Sequence, residues 1–191
     1  MSEETTKKSL FKKKEKPKKT VKQEIISWIL NLGAAVILAL LIRNFLFTPV
    51  RVDGHSMENT LMDKEIVLAW KPGYLKGEIN RRDIVICHYP DRGSTLFVKR
   101  LVGLPGDTIE IKSGILFVNG ELINESDIDM STWYPDNMAA RTLGEDEYFV
   151  MGDNRGNSND SRAVGALPRS YILGHVTRVL YPFDQFWDKV E

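Results

Sequence analysis

Residues 25–42 carry no charge, and only Ser27 and Asn31 among them are strongly polar. A helix satisfies its own backbone hydrogen bonds, so such a run is at home in lipid. A buried core helix of that length would normally carry charge along one face. Extended to Phe47, the run has about 23 residues and makes about 34 Å of helix, enough to span a bilayer with some tilt. Trp28 near one end and Phe45 and Phe47 near the other suit the interfaces, and Arg43 can snorkel towards water. A cleavable leader shares the basic start, but Phe45-Leu46-Phe47-Thr48-Pro49 lacks the small residues such a site needs. Residues 25–47 are therefore read as a transmembrane helix.

This span divides the charge. Basic and acidic residues each total 26, yet residues 1–24 hold nine lysines against four glutamates. A basic tail is thus followed by an acidic body. By the positive-inside rule residues 1–24 form a cytoplasmic tail, without apolar periodicity, and residues 48–191 lie outside. The expected location is the cell membrane, crossed once, with membrane lipid as a neighbour. A lysine-rich tail also suits nucleic acid, but this one has few aromatics and ends at the span, so no nucleic-acid partner is expected.

Cys87 is the only cysteine, which excludes an intramolecular disulfide. It lies in the apolar run Asp83-Ile84-Val85-Ile86-Cys87, where a buried structural thiol is expected. His55, His88 and His175 share no metal-ligand spacing with it, so neither metal nor cofactor is expected.

Beyond Pro49 the pattern becomes β. Short β-branched runs at 65–70 and 83–86 are separated by turn residues, among them Lys71-Pro72-Gly73. A longer strand is expected over 95–104, then strands at 108–111, 115–118 and 121–123 around Ser113-Gly114 and Asn119-Gly120 turns. Residues 124–146 read as a polar, irregular insertion, and 148–151 and 175–181 as the last strands. The outside part, residues 48–191, is expected to be mainly β, an antiparallel sandwich or partly open barrel.

One serine stands directly beyond the span, in Gly54-His55-Ser56-Met57. A serine hydroxyl needs a base to become a nucleophile. His55 adjoins it, and in extended chain adjacent side chains point to opposite faces. Lys99 interrupts the apolar run Phe97-Val98-Lys99-Arg100-Leu101-Val102 and shares a face with Phe97 and Leu101. An ordinary lysine, with a pKa of about 10.4, is almost never a base at neutral pH, and burial lowers that value. Taken alone, Lys99 would be read as a strand lysine reaching for water. Between the last strands lies Gly152-Asp153-Asn154-Arg155-Gly156-Asn157-Ser158-Asn159-Asp160-Ser161-Arg162, whose composition alone suggests a solvated turn.

Together, three stretches in this order resemble bacterial signal peptidase I, a membrane serine protease. They are Gly54-His55-Ser56-Met57, then Lys99-Arg100-Leu101-Val102-Gly103-Leu104-Pro105-Gly106-Asp107, then residues 152–162. Arg82-Asp83-Ile84-Val85 is similar to a fourth family stretch, and the single anchor resembles the short Gram-positive type. The resemblance implies a β catalytic domain with an apolar surface against the membrane. It implies cleavage of signal peptides from secretory precursor proteins, after small residues. It makes Ser56 the nucleophile and Lys99 the general base, with Ser158 orienting the lysine. It gives Arg100, Asp153, Asp160 and Arg162 the task of holding the site together. Two positions depart from the family. Asn59 stands where proline is common, and Gly54 stands where some members place an oxyanion-binding hydroxyl, so here backbone N–H groups, including that of Ser56, must serve.

Three rival readings are weighed against this one. A catalytically silent relative would lack Ser56 or Lys99. A soluble Ser/Lys self-cleaving regulator would lack the span and carry a helix-turn-helix. A structural β domain explains the anchor but not three stretches in order.

Overall fold

A computed structural model describes residues 20–58, 60–72, 79–125, 128 and 135–190. Residues 1–19, most of the lysine-rich tail, lie outside them, as do Asn59, Gly73 and most of 126–134. The chain divides into two units, residues 1–40 and 41–191.

The first unit is occupied by helix α1, whose full extent is Val21–Phe45. None of its side chains is buried, although an 18-residue stretch of it has a mean hydropathy of 2.5. A helix that is apolar on all sides and unburied suits lipid rather than water.

The second unit is mainly β. The helix stops at Phe45, two residues before the end of the expected span, because the chain is captured by the sheet there. Lys71 N–H donates to Leu46 O at 3.0 Å, and Lys71 Nζ to Asn44 O at 3.2 Å. β1 (Phe47–Arg51) then pairs in antiparallel fashion with β2 (Ile66–Trp70). Pro49 lies inside β1, which is tolerated because β1 is an edge strand.

The remaining strands are β3 (Ile84–Cys87), β4 (Phe97–Gly103), β5 (Thr108–Lys112), β6 (Ile115–Val118), β7 (Glu121–Leu122), β8 (Met138–Thr142), β9 (Glu147–Met151), β10 (Leu167–Pro168) and β11 (Ile172–Tyr181). They form a curled seven-stranded antiparallel sheet, β1-β2-β11-β3-β4-β9-β10, and a four-stranded one, β7-β6-β5-β8. β11 pairs with β3 through its first half and with β2 through its second, and bulges let it bend between them. β8 lies in the stretch expected to be irregular. Its side chains are mostly exposed, so it carries no apolar alternation to betray it.

β4 is the strand on which the site depends. It is bonded to β3 on one edge and β9 on the other, and its apolar side chains enter three core clusters. Val98 joins Met57, Leu61, Ile84 and Val176; Leu101 joins Val85, Cys87 and Val150; Val102 joins Ile109 and Phe149. Burying each large aliphatic side chain contributes about 1.5–3 kcal/mol. A polar group at Lys99 or Arg100 is thereby carried into a dry interior.

Candidate active site

The loop that carries Ser56 begins where β1 ends. Val52 closes its neck, donating its N–H to Glu65 O and accepting that of Lys64, both at 2.8 Å. Gly54 has φ +100°, which favours glycine, and its N–H donates to Asp63 Oδ1 at 2.8 Å. Met57 and Leu61 are fully buried beneath the loop, and Leu61 N–H donates back to Met57 O at 2.9 Å. These anchors leave Ser56 half-buried at the rim.

Lys99 is 2% exposed, opposite Val85 in the β3–β4 ladder. Its Nζ lies 2.5 Å from Ser56 Oγ and donates to Val98 O at 3.0 Å. Burial is the main cause that pushes its pKa below the ordinary lysine range. The carboxylates of Asp160 and Asp153 oppose this from a distance. Cys87 opposes it only if ionised, and burial pushes that thiol up to about 12, so at neutral pH it is an uncharged neighbour.

Residues 152–162 pack against both groups. Gly152 is required by proximity: a Cβ there would stand 2.3 Å from Ser158 Oγ and 2.5 Å from Ser56 O. Asp153 and Arg100 form a buried bidentate pair, Nε to Oδ1 at 2.9 Å and Nη2 to Oδ2 at 2.8 Å. Asp153 Oδ2 also accepts the Thr60 hydroxyl at 2.6 Å, which ties the Ser56 loop to β4. Asp160 accepts Gly152 N–H at 3.0 Å and the Arg162 guanidinium at 2.9 Å, and caps the helical turn Ser161–Val164. Burial alone would raise the Asp160 pKa, but Arg162 and the Gly152 N–H outweigh it and hold the carboxyl below its usual range.

Of the expected site residues, Ser56 and Lys99 are brought into contact; Arg100 pairs with Asp153, Asp160 with Arg162, and Gly54 is held by Asp63. Ser158 Oγ is buried beside Gly152 and makes no hydrogen bond among the described residues. It helps to hold Asp160 ionised without meeting hydrogen-bond geometry, and no bond to Lys99 forms. His55 points elsewhere, paired through Nδ1 with Glu58 at the surface. Asn59 lies outside the described residues.

Sequence reasoning missed three supports. Asn154 donates through Nδ2 to His55 O at 3.0 Å and through its N–H to Ser56 O at 3.1 Å. Arg155 donates from Nε to Gly152 O at 3.0 Å and grips Glu125 with both terminal nitrogens. Asp63 holds Gly54. Only membership of the polar stretch 152–162 marked the first two, and nothing local marked Asp63 or Glu125.

An open cleft of about 390 Å³ runs past Ser56 and Lys99. Residues of β1 line one wall and Leu96, Phe97 and Val98 the other. Among the described residues no group of three or more acidic, histidine or cysteine side chains is placed to hold a metal.

Residues 25–181 match the family described as signal peptidase, peptidase S26. Signal peptidase I P of Bacillus subtilis subsp. natto is 40% identical over 187 residues, covering 93% of this chain and 96% of that protein. Signal peptidase I S of Bacillus subtilis strain 168 is 39% identical over 174 residues, covering 86% and 93%. A crystal structure of a signal peptidase I from Enterococcus faecalis V583 is 31% identical, covers 52% of this chain and 97% of that one, and has a TM-score of 0.45.

Proposed function

Because this chain belongs to the signal peptidase I family of S26 peptidases, which remove signal peptides, we propose that it does so with Ser56 as nucleophile and Lys99 as general base. Its substrates are secretory precursor proteins, cut after small residues. One observation carries the reading. Lys99 is almost wholly withdrawn from water, and its only side-chain hydrogen-bond partner among the described residues is the hydroxyl of Ser56.

The chemistry follows from that contact. Neutral Lys99 takes the proton of Ser56 Oγ as the oxygen attacks the scissile carbonyl carbon. Negative charge gathers on the carbonyl oxygen, where the Ser56 backbone N–H serves as a fixed donor. The Lys99 ammonium returns the proton to the leaving amine, and the acyl group stays on Ser56. Lys99, neutral again, then takes a proton from water as the water oxygen attacks the acyl carbon. The bond from that carbon to Ser56 Oγ breaks, the Lys99 ammonium returns the proton to Ser56 Oγ, and the signal peptide leaves with a new carboxylate. The cleft suits a substrate in extended form, since the edge strand β1 offers unpaired backbone groups beside it. Its apolar wall suits the small side chains before the cut.

The lysine-rich start supports a cytoplasmic N-terminus, one crossing by residues 25–47 and a catalytic part, residues 48–191, outside. Incubating the detergent-solubilised full chain with an exported precursor, and sequencing the new N-terminus, tests the activity. A new N-terminus following a small residue, absent with Ser56→Ala and with Lys99→Ala, is expected. Cleavage by either variant would refute the assignment. Protease added outside spheroplasts should digest the part after Thr48 and spare an epitope at the N-terminus; the reverse pattern would overturn the orientation.

A further inference from the structure

We infer that Asn154 is a positioning residue for this reaction, aiming the Ser56 backbone N–H at the oxygen of the scissile carbonyl. The inference rests on Ser56 being the nucleophile. Its ground is that one residue holds both peptide carbonyls that flank Ser56. Asn154 Nδ2 donates to His55 O at 3.0 Å, and the Asn154 N–H donates to Ser56 O at 3.1 Å. Only the nitrogen end of the amide can face the His55 carbonyl, because a carbonyl oxygen solely accepts.

In a trans peptide the C=O of one residue and the N–H of the next share a plane and point in opposite directions. Fixing His55 C=O therefore fixes where the Ser56 N–H points. Fixing Ser56 C=O sets the next plane, and the two planes together set the backbone dihedrals of Ser56 and the direction in which its Cβ leaves. A hydrogen bond accepted at the oxygen of an amide also makes its N–H a stronger donor. The side chain thus acts on the oxyanion-binding group without touching substrate.

Asn154 is itself immobilised. It is 8% exposed, and its two neighbours in the chain are tied down. Asp153 is locked to Arg100, and Arg155 is locked to Glu125 and Gly152 O. From the other end of the loop, Asp63 holds the Gly54 N–H. No reacting group belongs to this frame, and Asn154 itself reaches the chemistry through the Ser56 backbone.

Asn154→Ala removes the Nδ2 bond and keeps the backbone one. Losing an oxyanion donor outright costs on the order of 10²–10³ in kcat, and losing its orienting partner should cost less, about 10- to 100-fold. KM should stay within about twofold, because the cleft wall is untouched. A peptide aldehyde, which adds to Ser56 and develops charge at the same oxygen, should lose affinity by the same factor as kcat. The matching peptide alcohol, which does not add, should bind as before. Equal losses for aldehyde and alcohol, a rise in KM alone, or wild-type turnover would each overturn the inference. If Asn154→Ala lowers the thermal midpoint, Asn154→Asp carries the test: it keeps the shape and turns an acceptor towards His55 O. Its kcat should be at least as low, and wild-type kcat there would overturn the inference as well. Ser56→Ala measured alongside separates the two ideas. If it is inactive while Asn154→Ala turns over normally, only the role of Asn154 falls; if it is active, both fall.

Discussion

The strand that carries Lys99 and the loop that carries Ser56 meet at 2.5 Å, yet they are held in different ways. Lys99 stands within a seven-residue strand laddered on both edges, and its side chain is enclosed by neighbours along β4 and across on β3. Ser56 belongs to no ladder. Two buried apolar anchors, Met57 and Leu61, hold its loop from below, and single hydrogen bonds accepted by Asp63 and Asp153 and two donated by Asn154 hold it from the side. The proposed base is therefore placed by secondary structure and packing, and the proposed nucleophile by tertiary polar contacts. Errors on the lysine side should alter its proton affinity, and errors on the serine side should alter alignment.

The largest effects come from removing either reacting group, where the two sides should be equal. Ser56→Ala and Lys99→Ala should each lower precursor cleavage by on the order of 10³-fold or more while membrane insertion persists. Unequal losses in the purified proteins would break the symmetry of the proposed pair. Next comes the link between the sides. Asp153→Ala removes the buried carboxylate that pairs with the Arg100 guanidinium and frees the Thr60 hydroxyl. A cost of about 3–5 kcal/mol in unfolding free energy is expected. An unchanged thermal midpoint in detergent would show that loop and strand are not joined through Asp153.

The pH dependence isolates the lysine side. As the proposed base Lys99 must be neutral to accept a proton, so kcat/KM should rise with pH through its folded pKa and level off above it. Burial lowers that pKa, so the rise should centre below the ordinary value of about 10.4. The same shift makes Lys99 a burden on stability. Between its folded and unfolded pKa values the unfolded chain holds a proton that the folded one lacks, so stability rises with pH across that window. Below the folded pKa the whole cost of burying the ammonium remains. Lys99→Met should therefore raise the thermal midpoint by a few degrees at neutral pH while abolishing cleavage; a lower midpoint would argue against a strained base.

The smallest effects belong to the periphery of the serine side. Ser158→Ala should lower cleavage by about tenfold or less, at most the worth of one neutral hydrogen bond. A loss as severe as that of Lys99→Ala would give Ser158 a larger part. His55→Ala should change kcat/KM by about twofold or less and leave the acid limb where it was, because His55 spends its Nδ1 on Glu58 at the surface. A limb in the histidine range, raised by the Glu58 carboxylate, that vanished with His55 would replace the lysine by an imidazole.

The chain's own pattern determined what depends on near neighbours. An uncharged run of bilayer length specified α1, and β-branched runs between turn residues specified most strands, because burial at period 2 leaves its mark on consecutive residues. It also specified that Lys99 and Leu101 share a face. β8 escaped because an exposed strand needs no apolar alternation, and the helix ended at Phe45 because Lys71, far along the chain, caps it. The candidate site was legible as a set of residues through the three stretches, but not as an arrangement. Ser56 meets Lys99 across 43 positions, Arg100 meets Asp153 across 53, and Asn154 meets His55 across 99. No local preference encodes such pairs. They arise when β4 and β9 align and Met57 and Leu61 sink into the core, so only the tertiary structure decided which polar groups would find one another and which, like Ser158, would be left waiting.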